Sequence, residues 1–221
     1  MNVDVKRPYA GSRRQAATRA TRREVIEAAR GLFLQLGYPA TTIAQISEES
    51  GVPLATLYRL FGSKRGVLKA VFDVAFGGDD EDIDFQDRPG VQAALAADDP
   101  RAVLDGFARV LRDLLHRAGG LQHVLVTSAA VDDEAAEMLE TTRRQRHQGQ
   151  SRIVRSLAQR KALRPGLTQK AAADILYTVM SPEVYRILTV ERGWSEDDYE
   201  AWLARTLRTQ LLDPDAARWA P

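Results

Sequence analysis

Apolar residues recur at steps of three and four along most of this chain, and no segment shows the strict alternation that is typical of a strand. This spacing predicts a first helix from about Ala20 to Gly37. Wide apolar stripes between 99 and 212 predict several further helices. The residues that suit helix starts in this region are Pro100, Thr168, Pro182 and Ser195. The fold class is therefore predicted to be all-α.

Residues 41–72 contain two short helical segments on either side of a glycine. Thr42 suits the start of the first segment, because a threonine hydroxyl can accept a hydrogen bond from a backbone N–H left unpaired there. Gly51 suits the left-handed backbone at its end. Pro53 suits the first turn of the next segment, where no N–H is needed. This layout predicts a helix-turn-helix, whose second helix enters the major groove of DNA.

The second of these helices has two different faces. Leu57 and Phe61 are four residues apart and predict its buried side. The outward positions are small, aromatic or cationic, as close approach to the major groove requires. They are Ala55, Tyr58 and Arg59, with Thr56 and Leu60 on the flanks. The pattern alone leaves a second interpretation open, in which Tyr58 and Arg59 form the solvated face of an ordinary helical bundle.

A longer motif helps to choose between these two interpretations of the second helix. Within GVPLATLYRLFGSKRGVL (51–68), its fixed positions are Thr56, Leu57, Tyr58, Phe61, Ser63 and Lys64. This segment resembles the tetracycline-repressor (TetR/AcrR) family of bacterial transcriptional regulators. The segment Leu163–Leu212 resembles a C-terminal portion that is common in one large branch of that family. The resemblance implies an all-α fold, with an N-terminal three-helix helix-turn-helix domain and a C-terminal helical ligand-binding and dimerisation domain.

The resemblance also suggests which residues bind DNA. Matched residue for residue, it implies that Thr42, Tyr58 and Lys64 bind phosphate or sugar, and the outward direction of Arg59 adds that residue. The full predicted DNA-binding set is Thr42, Ala55, Thr56, Tyr58, Arg59 and Lys64. Ala44 and Leu54 stand where family members often carry long polar side chains. We therefore expect few hydrogen bonds to base edges and a larger part for thymine methyl groups and DNA shape.

Four regions are expected along the chain. They are a basic, disordered arm at 1–19, a helix-turn-helix DNA-binding domain at 20–76, an acidic linker region at 77–98, and a helical ligand-binding and dimerisation domain at 99–221. The arm either reaches the DNA backbone or minor groove or is a plain soluble tail. The acidic run Asp79–Asp87 lacks the ligand order and closing glutamate of an EF-hand, so it predicts a solvated linker and no calcium site.

Charge is distributed unevenly, although the net charge is only +1. Residues 1–76 hold 12 Lys and Arg against 6 Asp and Glu, a net charge of +6. Residues 77–221 hold 19 against 24, a net charge of −5. A basic head on a mildly acidic body suits a protein that docks one end on a polyanion.

The body raises two expectations that rest mainly on the resemblance. A pocket for a small, largely apolar effector is expected among the middle helices, where Gly119-Gly120 is predicted to break the apolar stripe that begins near Pro100. Its candidate residues are Phe107, Leu111, His123, Thr127, Met138 and Tyr177. The last helices carry more apolar residues than a peripheral helix needs, which indicates a homodimer. The interface candidates are Ile175, Val179, Tyr185, Leu188, Tyr199 and Trp202. Each of these residues could instead belong to an ordinary core.

Other classes of function are poorly supported. The chain has no cysteine, which excludes disulfides and thiolate metal sites. Its three histidines are scattered, and no phosphate loop or nucleophile motif is present, so we expect no enzyme, cofactor or metal. The lack of a transmembrane run or signal peptide leads us to expect a cytoplasmic protein. The favoured hypothesis is a repressor that binds a near-palindromic double-stranded DNA operator as a dimer and is released by the effector. A DNA-binding regulator controlled by a protein partner, or less plausibly a helical enzyme, is the alternative.

Overall fold

The structure is a computed structural model that describes residues 9–79, 83 and 85–214. Helices dominate these residues, and the isolated antiparallel bridge between Leu163 and Leu212 is their one β-type pairing. The helices are α1 (Tyr9–Leu36), α2 (Ile43–Ser50), α3 (Leu54–Phe61), α4 (Lys64–Gly77), α5 (Pro89–Ala96), α6 (Pro100–Ser128), α7 (Asp133–Gln159), α8 (Gln169–Val179), α9 (Pro182–Arg186) and α10 (Glu196–Leu211). A 3-10 turn at Phe85–Asp87 precedes α5, and a π-helical turn at Ile187–Glu191 follows α9. The predicted all-α class is confirmed.

The chain divides into two compact units, residues 1–73 and 74–221, and the division falls within α4. The core of the first unit lies where α1, α2, α3 and the first part of α4 meet. The buried side chains of this core include Val25, Ile26, Phe33, Ile46, Leu57, Val67 and Leu68. Tyr38, between α1 and α2, is also fully buried, and its ring lies 5.5 Å from that of Phe33.

The first helix is longer than the sequence pattern predicts. It begins at Tyr9, whereas we expected a disordered arm over 1–19 and a helix start near Ala20. The added stretch is rich in Ala and Arg, which favour helix even where no apolar stripe marks a buried face. The pattern therefore missed a helix that the residues between 9 and 20 can form by propensity. Residues 1–8 of the expected arm lie outside the described residues.

The expected linker at 77–98 also contains regular structure. Its second half holds the 3-10 turn and α5, in which Val91 and Ala94 are buried. Helix α5 packs closely on α6, because a Cβ on Gly106 would stand only 2.8 Å from the Cβ of Ala94. Small residues at this contact let the two helices approach. Residues 80–82 and 84 of the acidic run lie outside the described residues.

Helix α6 runs without interruption through the glycine pair that we expected to break it. A Cβ on Gly119 would stand 3.3 Å from Cε1 of the Tyr185 ring. The glycine therefore makes room for an aromatic side chain from α9, and the surrounding helix supplies enough packing to offset the low helix propensity of glycine. The predicted break at Gly119-Gly120 is wrong.

One arginine holds the corner between α5 and α6. Arg160, the residue after α7, donates from its guanidinium to the carbonyl oxygens of Leu95 (3.0 Å), Asp98 (3.1 Å) and Ala97. Carbonyls at the end of a helix have no partner within it, so a side-chain cation there satisfies groups that would otherwise be left unpaired.

None of the helices in the described part of the chain combines the length and the apolar character that a membrane span needs.

Candidate nucleic-acid interface

The first helix of the helix-turn-helix is fixed at both ends by its own sequence. At its start the Thr42 hydroxyl accepts from the Gln45 backbone N–H at 3.2 Å, and the Gln45 side-chain oxygen accepts from the Thr42 backbone N–H at 2.8 Å. This reciprocal pair is a capping box. At its end Gly51 takes a left-handed backbone, with φ of 67°. Thr42 is exposed, but its hydroxyl also donates to the Gln45 side chain at 2.9 Å, so it already has local partners.

The second helix, α3, is held between two tight corners. Pro53 lies immediately before it, where its missing N–H removes no hydrogen bond. Gly62 ends it with φ of 76°, and its N–H donates to the Tyr58 carbonyl at 2.8 Å. Ser63 then caps α4 by accepting from the Gly66 N–H at 3.1 Å. The direction of α3 is therefore set by backbone turns on both sides.

The two faces of α3 follow the predicted spacing, except that Phe61 of the predicted buried side is only half-buried. Leu57 is 1% exposed and belongs to the core, whereas Tyr58 is 51% exposed. Ala55 and Arg59 are exposed as well, and Thr56 is half-buried. Phe61 is half-buried beneath the guanidinium of Arg22 from α1, which lies 4.9 Å from the ring centre. The outward face of α3 thus presents a small residue, an aromatic ring and a cation at Ala55, Tyr58 and Arg59, which share one face because they are three and four residues apart.

Lys64, the sixth predicted DNA-binding residue, has a different environment. It is half-buried, and its amine donates to the Tyr38 carbonyl at 3.0 Å while it lies 4.2 Å from the centre of the Tyr38 ring. Sequence reasoning missed this contact because the two residues are 26 positions apart. The motif match implies a phosphate or sugar contact for Lys64, and that role stays a prediction.

The six predicted pocket residues differ widely in their exposure. Phe107 and Leu111 are buried in α6, but His123 and Thr127 are exposed on its far part. Met138 is half-buried on α7. Tyr177 is half-buried under the guanidinium of Arg146, which lies 4.0 Å from its ring centre. Two surface grooves lie along α6 and α10, and neither is lined by any of these six residues. The pocket assignment stays a prediction.

The predicted interface residues divide into two groups. Ile175, Val179, Leu188 and Trp202 are half-buried and keep some accessible surface. Tyr199 is 0% exposed, and the Tyr185 ring packs against it edge to face at 4.9 Å between ring centres. Aromatic packing within the chain therefore covers both Tyr185 and Tyr199, and their predicted place in a dimer interface stays a prediction. The π-helical turn instead exposes two aliphatic residues that the prediction omitted, Ile187 and Val190.

The burial of these tyrosines also affects their acidity. Burial, followed by the hydrogen bond that its hydroxyl donates to Glu196, raises the pKa of Tyr185 well above its usual range. Burial raises the pKa of Tyr199 in the same direction. Both hydroxyls therefore stay protonated at neutral pH.

Comparison with known proteins identifies the first unit. Residues 25–71, which run from α1 into α4, match the family model of bacterial regulatory proteins, tetR family. The N-terminal domain of this chain belongs to the TetR family. The predicted family is thus confirmed, and it is a family of regulatory proteins and not of enzymes. A 53-residue stretch of this chain is also 38% identical to YvkB, an HTH-type transcriptional regulator of Bacillus subtilis (strain 168). That match spans 24% of this chain and only 28% of YvkB.

Solved structures show that the likeness of fold extends further. NalD of Pseudomonas aeruginosa, the secondary repressor of the MexAB-OprM multidrug efflux pump, matches with a TM-score of 0.66 at 19% identity over 89% of this chain and 99% of its own. SmeT, solved with triclosan, matches with a TM-score of 0.68 at 17% identity over 88% of this chain and 93% of its own. TylP, a TetR regulator of Streptomyces fradiae, matches with a TM-score of 0.58 at 20% identity over 89% of each chain. The helical C-terminal unit therefore shares its fold with regulators of this family.

Proposed function

We propose that the TetR-family chain is a transcriptional repressor that binds a near-palindromic operator as a homodimer and is released by a small, largely apolar effector. The observation that carries the DNA-binding part is the exposed face of α3. It is held between the corners at Gly51 and Gly62 and backed by the buried side chain of Leu57. A helix presented in this way can enter the major groove with its backbone direction already fixed.

The residues of this face have complementary tasks in the proposal. Ala55 permits close approach of the α3 backbone to the base edges. Tyr58 and Arg59 supply a hydroxyl and a cation for the sugar-phosphate backbone, which carries most of the affinity. Thr56 and the exposed Leu54 lie beside these residues and face the groove in the proposal. There they can recognise bases through apolar contact with thymine methyl groups.

A homodimer would give two such helices the spacing that DNA requires. Recognition helices in a two-fold dimer reach successive major grooves when they are about 34 Å apart, which makes the operator near-palindromic. Support comes from unpaired apolar surface on the C-terminal unit, where Val190 is 70% exposed and Ile187 is 43% exposed. With the half-buried Ile175, Val179, Leu188 and Trp202, these residues form the interface that we propose.

The effector part of the proposal places a small molecule among the helices of the C-terminal unit. SmeT, which has a similar fold, was solved as a complex with triclosan, and this supports a small-molecule effector for this chain as well. Helix α4 is the covalent connection between the two units, so it is the route that we propose for the signal. A coupling free energy of about 1–3 kcal/mol between effector and operator would be enough to switch a promoter.

A mobility-shift assay with the DNA upstream of the gene, repeated at rising salt, tests the DNA-binding part. We expect sequence-preferring binding that weakens steeply with salt, because phosphate contacts release counterions. The variant Arg59→Met should lower the salt slope by about one unit, while Lys69→Met, on an exposed lysine paired with Asp73, should not. Binding with no sequence preference would reject the repressor.

A thermal-shift screen of apolar compounds tests the effector part. We expect at least one compound that raises the melting temperature and also releases the operator in the mobility-shift assay, since a ligand that binds the folded state stabilises it. Operator binding that no stabilising compound weakens would reject the small-molecule effector, and a protein partner would then be the favoured control.

A further inference from the structure

Two independent contacts hold the amine of Lys64 within the first unit. It donates to the Tyr38 carbonyl at 3.0 Å, and it lies 4.2 Å from the centre of the Tyr38 ring, a distance at which a cation is attracted to the face of the ring. The same carbonyl accepts from the Thr41 N–H at 3.3 Å. Both lone pairs of this oxygen are therefore used, one by its own turn and one by Lys64.

The turn at residues 37–41, which Lys64 contacts through the Tyr38 carbonyl, leads directly into the proposed DNA-binding surface. The residues of this turn are tightly packed. Tyr38 and Thr41 are fully buried, and the Thr41 hydroxyl donates to the Gly37 carbonyl at 2.8 Å. The next residue is Thr42, whose capping box starts α2. A displacement of this turn would thus move the first residue of the helix-turn-helix.

The first turn of α4 also fixes the other end of the motif. A Cβ on Gly66 would stand 1.8 Å from the carbonyl oxygen of Phe61, the last residue of α3. Backbone therefore contacts backbone at this corner. On one side the start of α4 is fitted to the end of α3 through Gly66, and on the other it is tied to the entrance of α2 through Lys64.

We propose that Lys64 is a positioning residue that acts through Tyr38 and sets the angle between α2 and α3, and that it is not a phosphate ligand. This inference rests on the proposed function, because the angle matters for fitting the operator. The proposed positioning role replaces the phosphate or sugar contact that the motif match implies for Lys64.

Salt dependence and hydrogen exchange together test the assignment on the full-length protein. In Lys64→Met we expect operator affinity to fall about tenfold, the order for losing one hydrogen bond to a charged group, with the salt slope unchanged. Amides of residues 38–45 should exchange faster, and those of α6 should not change. Lys69→Met removes the same charge from an exposed site five residues further along α4 and should alter neither measurement. Lys64→Arg should restore the exchange protection, because a guanidinium can also stack on the ring and donate to the carbonyl.

A salt slope reduced by about one unit would identify a phosphate contact and overturn the proposal. Unchanged exchange at 38–45 in Lys64→Met would overturn it as well. Should that variant fail to fold, amine labelling of the wild-type protein decides: Lys64 should react more slowly than Lys69 before operator is added, and equal reactivity contradicts the contact. A wild-type protein without operator preference would reject the proposed function, but the exchange and labelling results would still test the contact between Lys64 and Tyr38.

Discussion

Gly66 lies so close to the carbonyl oxygen of Phe61 that a side chain cannot fit between them, since an added Cβ would stand 1.8 Å away. The neighbour is backbone and cannot rotate aside. The corner between α3 and α4 thus requires glycine for reasons of space and not of backbone angle, because Gly66 is not among the glycines with a positive φ.

The substitution Gly66→Ala is therefore expected to lower the free energy of unfolding by about 1–3 kcal/mol, the usual cost of overpacking. Gly31 is the matched control, because it lies inside α1 with no heavy atom within 4 Å of its Cβ position. Gly31→Ala should raise stability by about 0.5–1 kcal/mol through helix propensity. Urea denaturation of both variants measures the difference. Equal effects would mean that the α3–α4 corner has room to relax.

Neighbouring residues on α3 should respond in opposite ways. Tyr58→Ala is expected to leave the urea midpoint almost unchanged, because the side chain is 51% exposed, and to weaken operator binding. Leu57→Ala should cost about 2–5 kcal/mol of stability, because its side chain is buried in the core. Mobility shift and denaturation on the same preparations separate the two effects. If Tyr58→Ala binds operator as tightly as the wild-type protein, the proposed recognition face is wrong.

Replacing Arg160 tests the corner between α5 and α6. Arg160→Met leaves three carbonyl groups without their shared donor, so the free energy of unfolding should fall by about 1–3 kcal/mol. Arg155→Met, at an exposed position on α7 five residues before Arg160, should change it by less than about 0.5 kcal/mol. Thermal or urea unfolding measures both. Similar losses would show that the guanidinium contacts contribute little.

Alkaline stability should depend on Tyr199. Burial raises the pKa of Tyr199 above its unfolded value of 10.0, so the folded state keeps its proton longer than the unfolded state. The resulting stabilisation is complete below pH 10 and is lost as the pH rises towards the folded-state pKa. In Tyr199→Phe the unfolding free energy should fall less steeply above pH 10, which urea titrations at pH 8 to 11 would measure.

At neutral pH the stability of Tyr199→Phe can be compared with that of Tyr185→Phe. The Tyr199 hydroxyl has no hydrogen-bond partner among the described residues, so its removal should be nearly neutral at pH 7. Tyr185→Phe removes a donor to the partly buried Glu196 and should cost about 1–3 kcal/mol. A larger loss in Tyr199→Phe than in Tyr185→Phe would contradict this account.

Local chemistry made parts of the fold predictable from the sequence. The threonine and serine caps at Thr42, Thr168 and Ser195 all start helices, because their hydroxyls accept from the N–H three residues on. Gly51 and Gly62 end α2 and α3 with positive φ. Each of these depends on neighbours within a few residues, which the sequence displays directly.

Contacts between distant segments were harder to predict from the sequence. The glycines at 119 and 120 suggest a break until the ring of Tyr185, more than sixty residues later, is seen to need the space. Tyr199 and a surface-exposed aromatic residue look alike in an amphipathic pattern, and only the packing of α9 on α10 distinguishes them. The contact between Lys64 and Tyr38 also depends on tertiary packing. The motif therefore predicted where the candidate site lies better than it predicted what each side chain contacts.

The reach of Arg160 has a consequence for how this chain matures during synthesis. Leu95, Ala97 and Asp98 leave the ribosome 65, 63 and 62 residues ahead of the guanidinium that binds their carbonyl oxygens. Until then water must solvate those oxygens, so the corner stays open on the nascent polypeptide. A chain truncated before Arg160 should accordingly be cut by proteases near residues 95–98, at a site that the finished protein protects.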